Sequence, residues 1–150
     1  MAKVHATLDT RVPMSWRVRF AYRDDDFRPI AAEAVRMIAP GGAGPSREDV
    51  GRRSGAYVEV LLGGGQDARW SRTIAQPNRA DREQFFEDGV NRVDAPAEGE
   101  FDLVIPDYGP DATFVLYASP SRAAEKAAKP RVKLQLAELR SLDRIARRDE

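Results

Sequence analysis

GAYVEVLLGGGQDARWSRTI, residues 55–74, sets three consecutive glycines between two apolar runs. A phosphate-cradling loop needs a strand, a glycine-rich turn and then a helix whose first N–H groups face the anion. A β-hairpin needs a second strand instead. The residues after the glycines decide between them. ARWSRTI (68–74) carries Trp70, Thr73 and Ile74, which favour extended backbone. No Lys-Ser or Lys-Thr follows the glycines, and Ala68 stands where a G-x-G-x-x-G pattern begun at Gly63 would need glycine. The stretch therefore predicts a hairpin. Gly63, Gly64 and Gly65 reverse the chain, and Val58, Val60 and Leu62 share a core face with Trp70 and Ile74.

Working outward, the same period of two recurs. In WRVRFAYR (16–23), Trp16, Val18, Phe20 and Tyr22 alternate with Arg17, Arg19 and Arg23, giving one apolar and one cationic face. Residues 3–10 predict a preceding edge strand. DDDFRP (24–29) ends the strand at 16–23. Residues 30–38 suit a helix by their alanines and a strand by the alternation of Val35 and Met37 against Arg36; a strand over 33–38 agrees with its neighbours. The Gly/Pro-rich segment 40–55 predicts a long surface loop. Residues 77–98 are polar, with a short strand near Phe85 and a turn at Asp88-Gly89. Residues 99–120 hold two strands, 100–105 and 112–118, read as a hairpin punctuated by Pro106, Gly109 and Pro110.

The last thirty residues differ. SPSRAAEKAAK (119–129) predicts a helix, with Ser119 as N-cap, Pro120 at the first helical position and Pro130 as the stop. RVKLQLA (131–137) alternates again, so a strand follows. Leu139, Leu142 and Ala146 then form the stripe of a final helix.

Six to eight short strands with regular turn signals predict a mainly β fold, an antiparallel β-sandwich with a C-terminal helical segment packed on one sheet. The chain is expected to be one domain over 1–150, with a sandwich core at about 3–118 and a helix-strand-helix extension at 119–148. Tyr57, Leu61, Val104, Val115 and Tyr117 are apolar on the opposite faces of their strands. The C-terminal helices are the expected lid for that second surface.

The 150 residues include 24 basic and 24 acidic side chains, so no global field draws the chain to nucleic acid or to an anionic membrane. Charge is nonetheless uneven: residues 121–150 carry nine Lys/Arg against five Asp/Glu, leaving 15 against 19 in the remainder. The basic end reads either as a lid on an acidic body or as a contact surface. The absence of cysteine excludes disulfides, thiolate metal sites and thiol nucleophiles. MAKVHATLDT lacks the apolar stretch of a signal peptide, and no run is long enough to cross a membrane as a helix. A cytoplasmic location is therefore expected.

Candidates for chemistry are few. His5 is the only histidine, and Ser–His–Asp catalysis and most zinc sites would depend on it. Its position suits an ordinary edge-strand residue better. Asp24, Asp25 and Asp26 form an acidic cluster, and Asp107 and Asp111 bracket a second turn around Tyr108. Loop carboxylates can hold calcium, but the EF-hand spacing is absent and Asp favours turns for local hydrogen-bonding reasons. No cofactor is expected. An exposed Tyr108 beside acids suits a carbohydrate or small ligand. Arg17, Arg19, Arg23 and Arg36 could contact phosphates, yet a solvated face explains them equally.

GAYVEVLL together with EFDLVIPDYGPDATFVLYASP, about residues 55–118, resembles the closing strands of small bacterial immunoglobulin-like or fibronectin-like sandwich modules. The shared feature is a Phe-x-Leu-Val-x-Pro-Asp strand and turn followed by an apolar strand. The resemblance implies a module that mediates contacts and has no common active site. The expected function is thus non-enzymatic, a β-sandwich that binds a protein partner or forms a homo-oligomer through a sheet face or an open strand edge. A carbohydrate- or small-ligand-binding module using Asp24, Asp25, Asp26, Asp107, Tyr108 and Asp111 is the alternative, and a hydrolase a remote one.

Overall fold

The computed structural model of the chain describes residues 13–42, 53–63, 68–79, 83–86, 89–92 and 97–148. Strand β1 (Met14–Arg23) buries Trp16, Val18, Phe20 and Tyr22 and exposes Arg17, Arg19 and Arg23. An apolar strand face must pack on another layer. β1 forms the centre of a three-stranded antiparallel sheet, between β2 (Asp26–Arg36) and β7 (Glu98–Pro106). The opposing sheet has the order β4-β3-β8-β9, made of β3 (Ala56–Leu61), β4 (Ala68–Ile74), β8 (Thr113–Ala118) and β9 (Lys129–Gln135). β5 (Glu83–Phe86) and β6 (Gly89–Arg92) form a separate hairpin. Among the described residues one helix, α1 (Leu136–Arg148), follows β9 directly. The protein is mainly β, with two antiparallel sheets facing each other across one core.

That core is aromatic at its centre. Phe20 of the first sheet stacks on Phe114 of the second with centroids 5.6 Å apart, and both are fully buried. Phe101 stacks on Phe20 at 5.4 Å, and Tyr22 and Phe27 complete the group. Each fully buried ring contributes roughly 1.5–3 kcal/mol relative to exposure.

The hairpin expected at 57–74 is present: β3 pairs antiparallel with β4, and Val60 lies opposite Trp70. Gly64 and Gly65 lie outside the described residues, as do His5 and the strand expected at 3–10. Gly41 supports Trp70 from the edge. Its φ of 144° disfavours any side chain, and a Cβ there would collide with the indole.

Four expectations are corrected. The strand expected at 33–38 begins earlier, at Asp26, because Asp24 and Asp25 form a tight two-residue turn between Arg23 and Asp26. Asp24 takes φ 51°, which Asp tolerates better than most residues. Pro29 fits within β2 because the strand is at a sheet edge and the register shifts there.

The strands at 98–106 and 113–118 are adjacent in sequence but do not pair. β7 pairs with β1 and β8 with β3, so the segment between them crosses from one sheet to the other. Pro106, Gly109 and Pro110 turn a corner rather than a hairpin. The corner is held by Asp107 N donating to Met14 O and Ala112 N donating to Gly109 O.

Residues 119–128 form turns, not the helix that their alanines predicted. Ser119 is fully buried, and its hydroxyl accepts from Gly55 N at 2.7 Å and donates to Lys126 O. Tertiary partners have claimed the groups that would have capped a helix. Pro130 then enters β9 at a bulge opposite Tyr117.

α1 forms where expected. Glu138 reaches back to accept from Gln135 N at 3.0 Å, half of a capping box. Leu136 and Leu139 are fully buried, and the helix packs on β2 beside β9. It closes one side of the sandwich and is not the lid expected over Tyr57, Leu61 and Val115. Those three are buried, and among the described residues Ala128 packs with Tyr57 and Tyr117. Among the described residues, no helix is long and apolar enough to cross a membrane.

Candidate functional site

The acidic turn is a junction. Asp24 N donates to Ala97 O, and Asp24 Oδ1 accepts from Ala97 N at 3.2 Å. Asp25 Oδ1 accepts from Ser121 N at 2.7 Å and from Asn78 Nδ2 at 3.2 Å, with Arg131 Nη2 3.9 Å away. Asn78 is fully buried and also donates to Asp24 O. Two of the three carboxylates are thus engaged in pinning three loops to the β1–β2 turn. Asp26 is exposed at the start of β2.

Asp107, Tyr108 and Asp111 lie at the other end of the molecule. Asp107 sits beside Met14, whereas Asp24 follows Arg23, so the length of β1, roughly 30 Å, separates the two groups. Asp107 Oδ1 accepts from Gly109 N at 3.0 Å, a local turn bond. Tyr108 and Asp111 are exposed. The six sequence candidates therefore form two sites, not one. Among the described residues, no group of three potential metal ligands gathers.

Two arginines on the outer face of the three-stranded sheet are paired within it. Arg17 Nη1 lies 2.7 Å from Glu33, and Arg19 Nε lies 3.0 Å from Asp102. The bond to Asp102 raises the Arg19 pKa above its already high ordinary value. Arg36 stands opposite Met14, away from the row of β1 arginines.

Sequence reasoning missed Glu59. It sits mid-strand in VEV with side chain 1% exposed, on the outer face of the four-stranded sheet. Tyr117 Oη donates to its Oε1 at 2.8 Å, while Oε2 has no partner among the described residues. Tyr57 stacks on Tyr117 with centroids 4.6 Å apart. Burial first, then the neighbouring Tyr117 and Glu59, push the Tyr57 phenol above its ordinary pKa. A lone acid within an apolar strand was the available signal.

Among the described residues, open grooves lie at the β1–β2 turn end and between β9 and α1. The first, of about 530 Å³, is lined by Arg23, Asp26, Arg28, Glu98 and Glu100 around Tyr22 and Gly99. Gly99 keeps that end open, since a Cβ there would lie 2.8 Å from the Tyr22 hydroxyl. The other, of about 340 Å³, runs between β9 and α1 over Val132, Leu134, Leu139 and Leu142.

The sheet edges differ in how they end. β2 carries α1, and β4 exchanges two backbone hydrogen bonds between Ser71 and Gly42. β7 and β9 each pair on one side only among the described residues. β7 displays Glu98, Glu100 and Asp102, and β9 displays Lys129 and Lys133 with Arg131 half-buried between them.

Comparison of the chain with protein-family models, with curated proteins and with solved structures finds no match.

Proposed function

We propose that the protein is a non-enzymatic β-sandwich module that works through protein–protein contact, using its strand edges. The observation that carries this is the pair of strands, β7 and β9, that pair on one side only among the described residues. An edge strand presents unpaired N–H and C=O groups, and adding a strand from another chain satisfies them. The engagement of Asp24, Asp25, Arg17 and Arg19 in holding the fold also favours contact over catalysis. So does the resemblance to immunoglobulin-like modules noted for residues 55–118. Hydrogen exchange tests it, measured on the chain alone at high dilution, at high concentration and with proteins captured from the source cell. Edge contact slows exchange selectively in β7 or β9. Unchanged exchange at both edges in every preparation would refute it.

A second reading, a carbohydrate- or small-ligand-binding module, draws on the charged groove at Asp26. A melting shift with a glycan or calcium panel, lost in Asp26→Ala, would favour it instead.

A further inference from the structure

We infer that the contact partner is a second copy of this chain, joined head to tail, with the acidic edge β7 of one copy against the basic edge β9 of the next. This rests on the edge-contact function proposed above and names its partner. Four observations lead to it.

The first is charge. β7 is EGEFDLVIP, and its acids Glu98, Glu100 and Asp102 recur at every second residue. β9 is KPRVKLQ, with Lys129, Arg131 and Lys133 at the same spacing. Asp102 is taken up by Arg19, and Arg131 binds Ala118 O near Asp25. Glu98, Glu100, Lys129 and Lys133 are exposed and make no ion pair among the described residues.

The second is the matching inner side. Between its acids β7 carries Gly99 and Phe101, both half-buried, and then Leu103. β9 carries the exposed Pro130 between Lys129 and Arg131, and then the buried Val132 and Leu134. The bulge at Arg131 sets Lys129 on the face of Ala118 and Lys133 on that of Val115. Strands laid side by side would join Phe101 and Leu103 to Val132 and Leu134 on the inner face, bring the outward acids of β7 toward Lys133, and leave Lys129 at the inner rim of the same edge.

The third is that each edge repels its own kind. Two β7 edges would set acids against acids, and two β9 edges bases against bases. A two-fold symmetric dimer through either edge is disfavoured, whereas β7 against β9 is favoured.

The fourth is position. β9 touches β2, and β2 and β7 are the two outer strands of the three-stranded sheet. The two edges therefore lie on opposite sides of the sandwich. One copy can use both edges at once, so assembly continues past a dimer into a chain or ring.

The test uses intact chains and light scattering at low salt. The mass is expected to rise above the 16.7 kDa monomer with concentration. It is expected to fall back when salt is raised from about 0.05 M to about 0.5 M. Glu98→Lys with Glu100→Lys makes both edges basic, and Lys129→Glu with Lys133→Glu makes both acidic. Each double variant alone is expected to stay monomeric. An equimolar mixture is expected to recover the mass of the parent, because every junction is again acid against base. That recovery separates lost contact from lost folding. A parent that stays monomeric throughout at low salt overturns the inference, and edge contact with a different protein would still be read by exchange. Variants that assemble as well as the parent also overturn it, since copies would then meet through another surface.

Discussion

The Tyr117 hydroxyl donates a 2.8 Å hydrogen bond to Glu59 and so ties β8 to β3 on the outer face of the four-stranded sheet. A buried carboxylate is costly unless its oxygens are bonded, and Oε2 of Glu59 has no partner among the described residues. Tyr117→Phe removes this O–H and is expected to cost about 1–3 kcal/mol. The loss would appear as a lower urea midpoint at unchanged slope. Glu59→Gln keeps an acceptor and removes the charge, so it should cost less than Tyr117→Phe. Parental stability in Tyr117→Phe would show that the bond contributes nothing.

Tyr57 makes the fold sensitive to alkali. Its pKa is raised in the folded state, chiefly by burial. Below the ordinary tyrosine value, about 10, both folded and unfolded chains hold the proton and the contribution to stability is complete. Above it the unfolded chain releases the proton first, so stability falls as pH rises toward the folded value. Ultraviolet titration should show the Tyr57 phenol ionising late, and Tyr57→Phe should reduce that late component and flatten the alkaline loss of stability. Late ionisation undiminished in Tyr57→Phe would assign it elsewhere.

Asn78 holds the acidic turn from within. Its amide donates to Asp24 O at 3.0 Å and Asp25 Oδ1 at 3.2 Å. Asn78→Ala removes both bonds, though Asp25 Oδ1 keeps Ser121 N, and is expected to cost about 1–3 kcal/mol, lowering the melting midpoint by several degrees. Asn78→Asp should cost more, because it replaces a donor beside Asp25 with a second carboxylate. Equal melting of all three proteins would refute the junction role.

α1 is part of the core and not an appendage. Leu139 is fully buried, and Ser141 on the same helix is exposed. Leu139→Ala is expected to cost about 2–5 kcal/mol, and Ser141→Ala within about 0.5 kcal/mol of zero. Both are read by chemical denaturation. Ending the chain after Gln135 would uncover Val132 and Leu134, and aggregation on size exclusion is the expected result.

Much of this architecture was legible from alternation alone. Trp16, Val18, Phe20 and Tyr22 declare a one-sided strand, and the residues after Gly65 declare a hairpin rather than a phosphate loop. The candidate surfaces were less legible. Glu98, Glu100, Lys129 and Lys133 look like ordinary solvated charges until the strand order shows that β7 and β9 are edges. Asp24 and Asp25 look like a ligand cluster until Asn78, Ala97 and Ser121 are seen to take their hydrogen bonds.

Side-chain period is a local property, set by the pleat and by which residues avoid water, so the sequence by itself determined that these segments are strands and which face of each is apolar. Pairing is not local. Whether residues 98–106 joined their sequence neighbour β8 or the distant β1 depended on which arrangement buried Phe20, Phe101 and Phe114 together. The alanine-rich 119–128 segment gave up its helical preference for the same kind of reason. Helix propensity is worth only a few tenths of a kcal/mol per residue, and the buried Ser119, bonded to Gly55 and Lys126, holds that segment in turns.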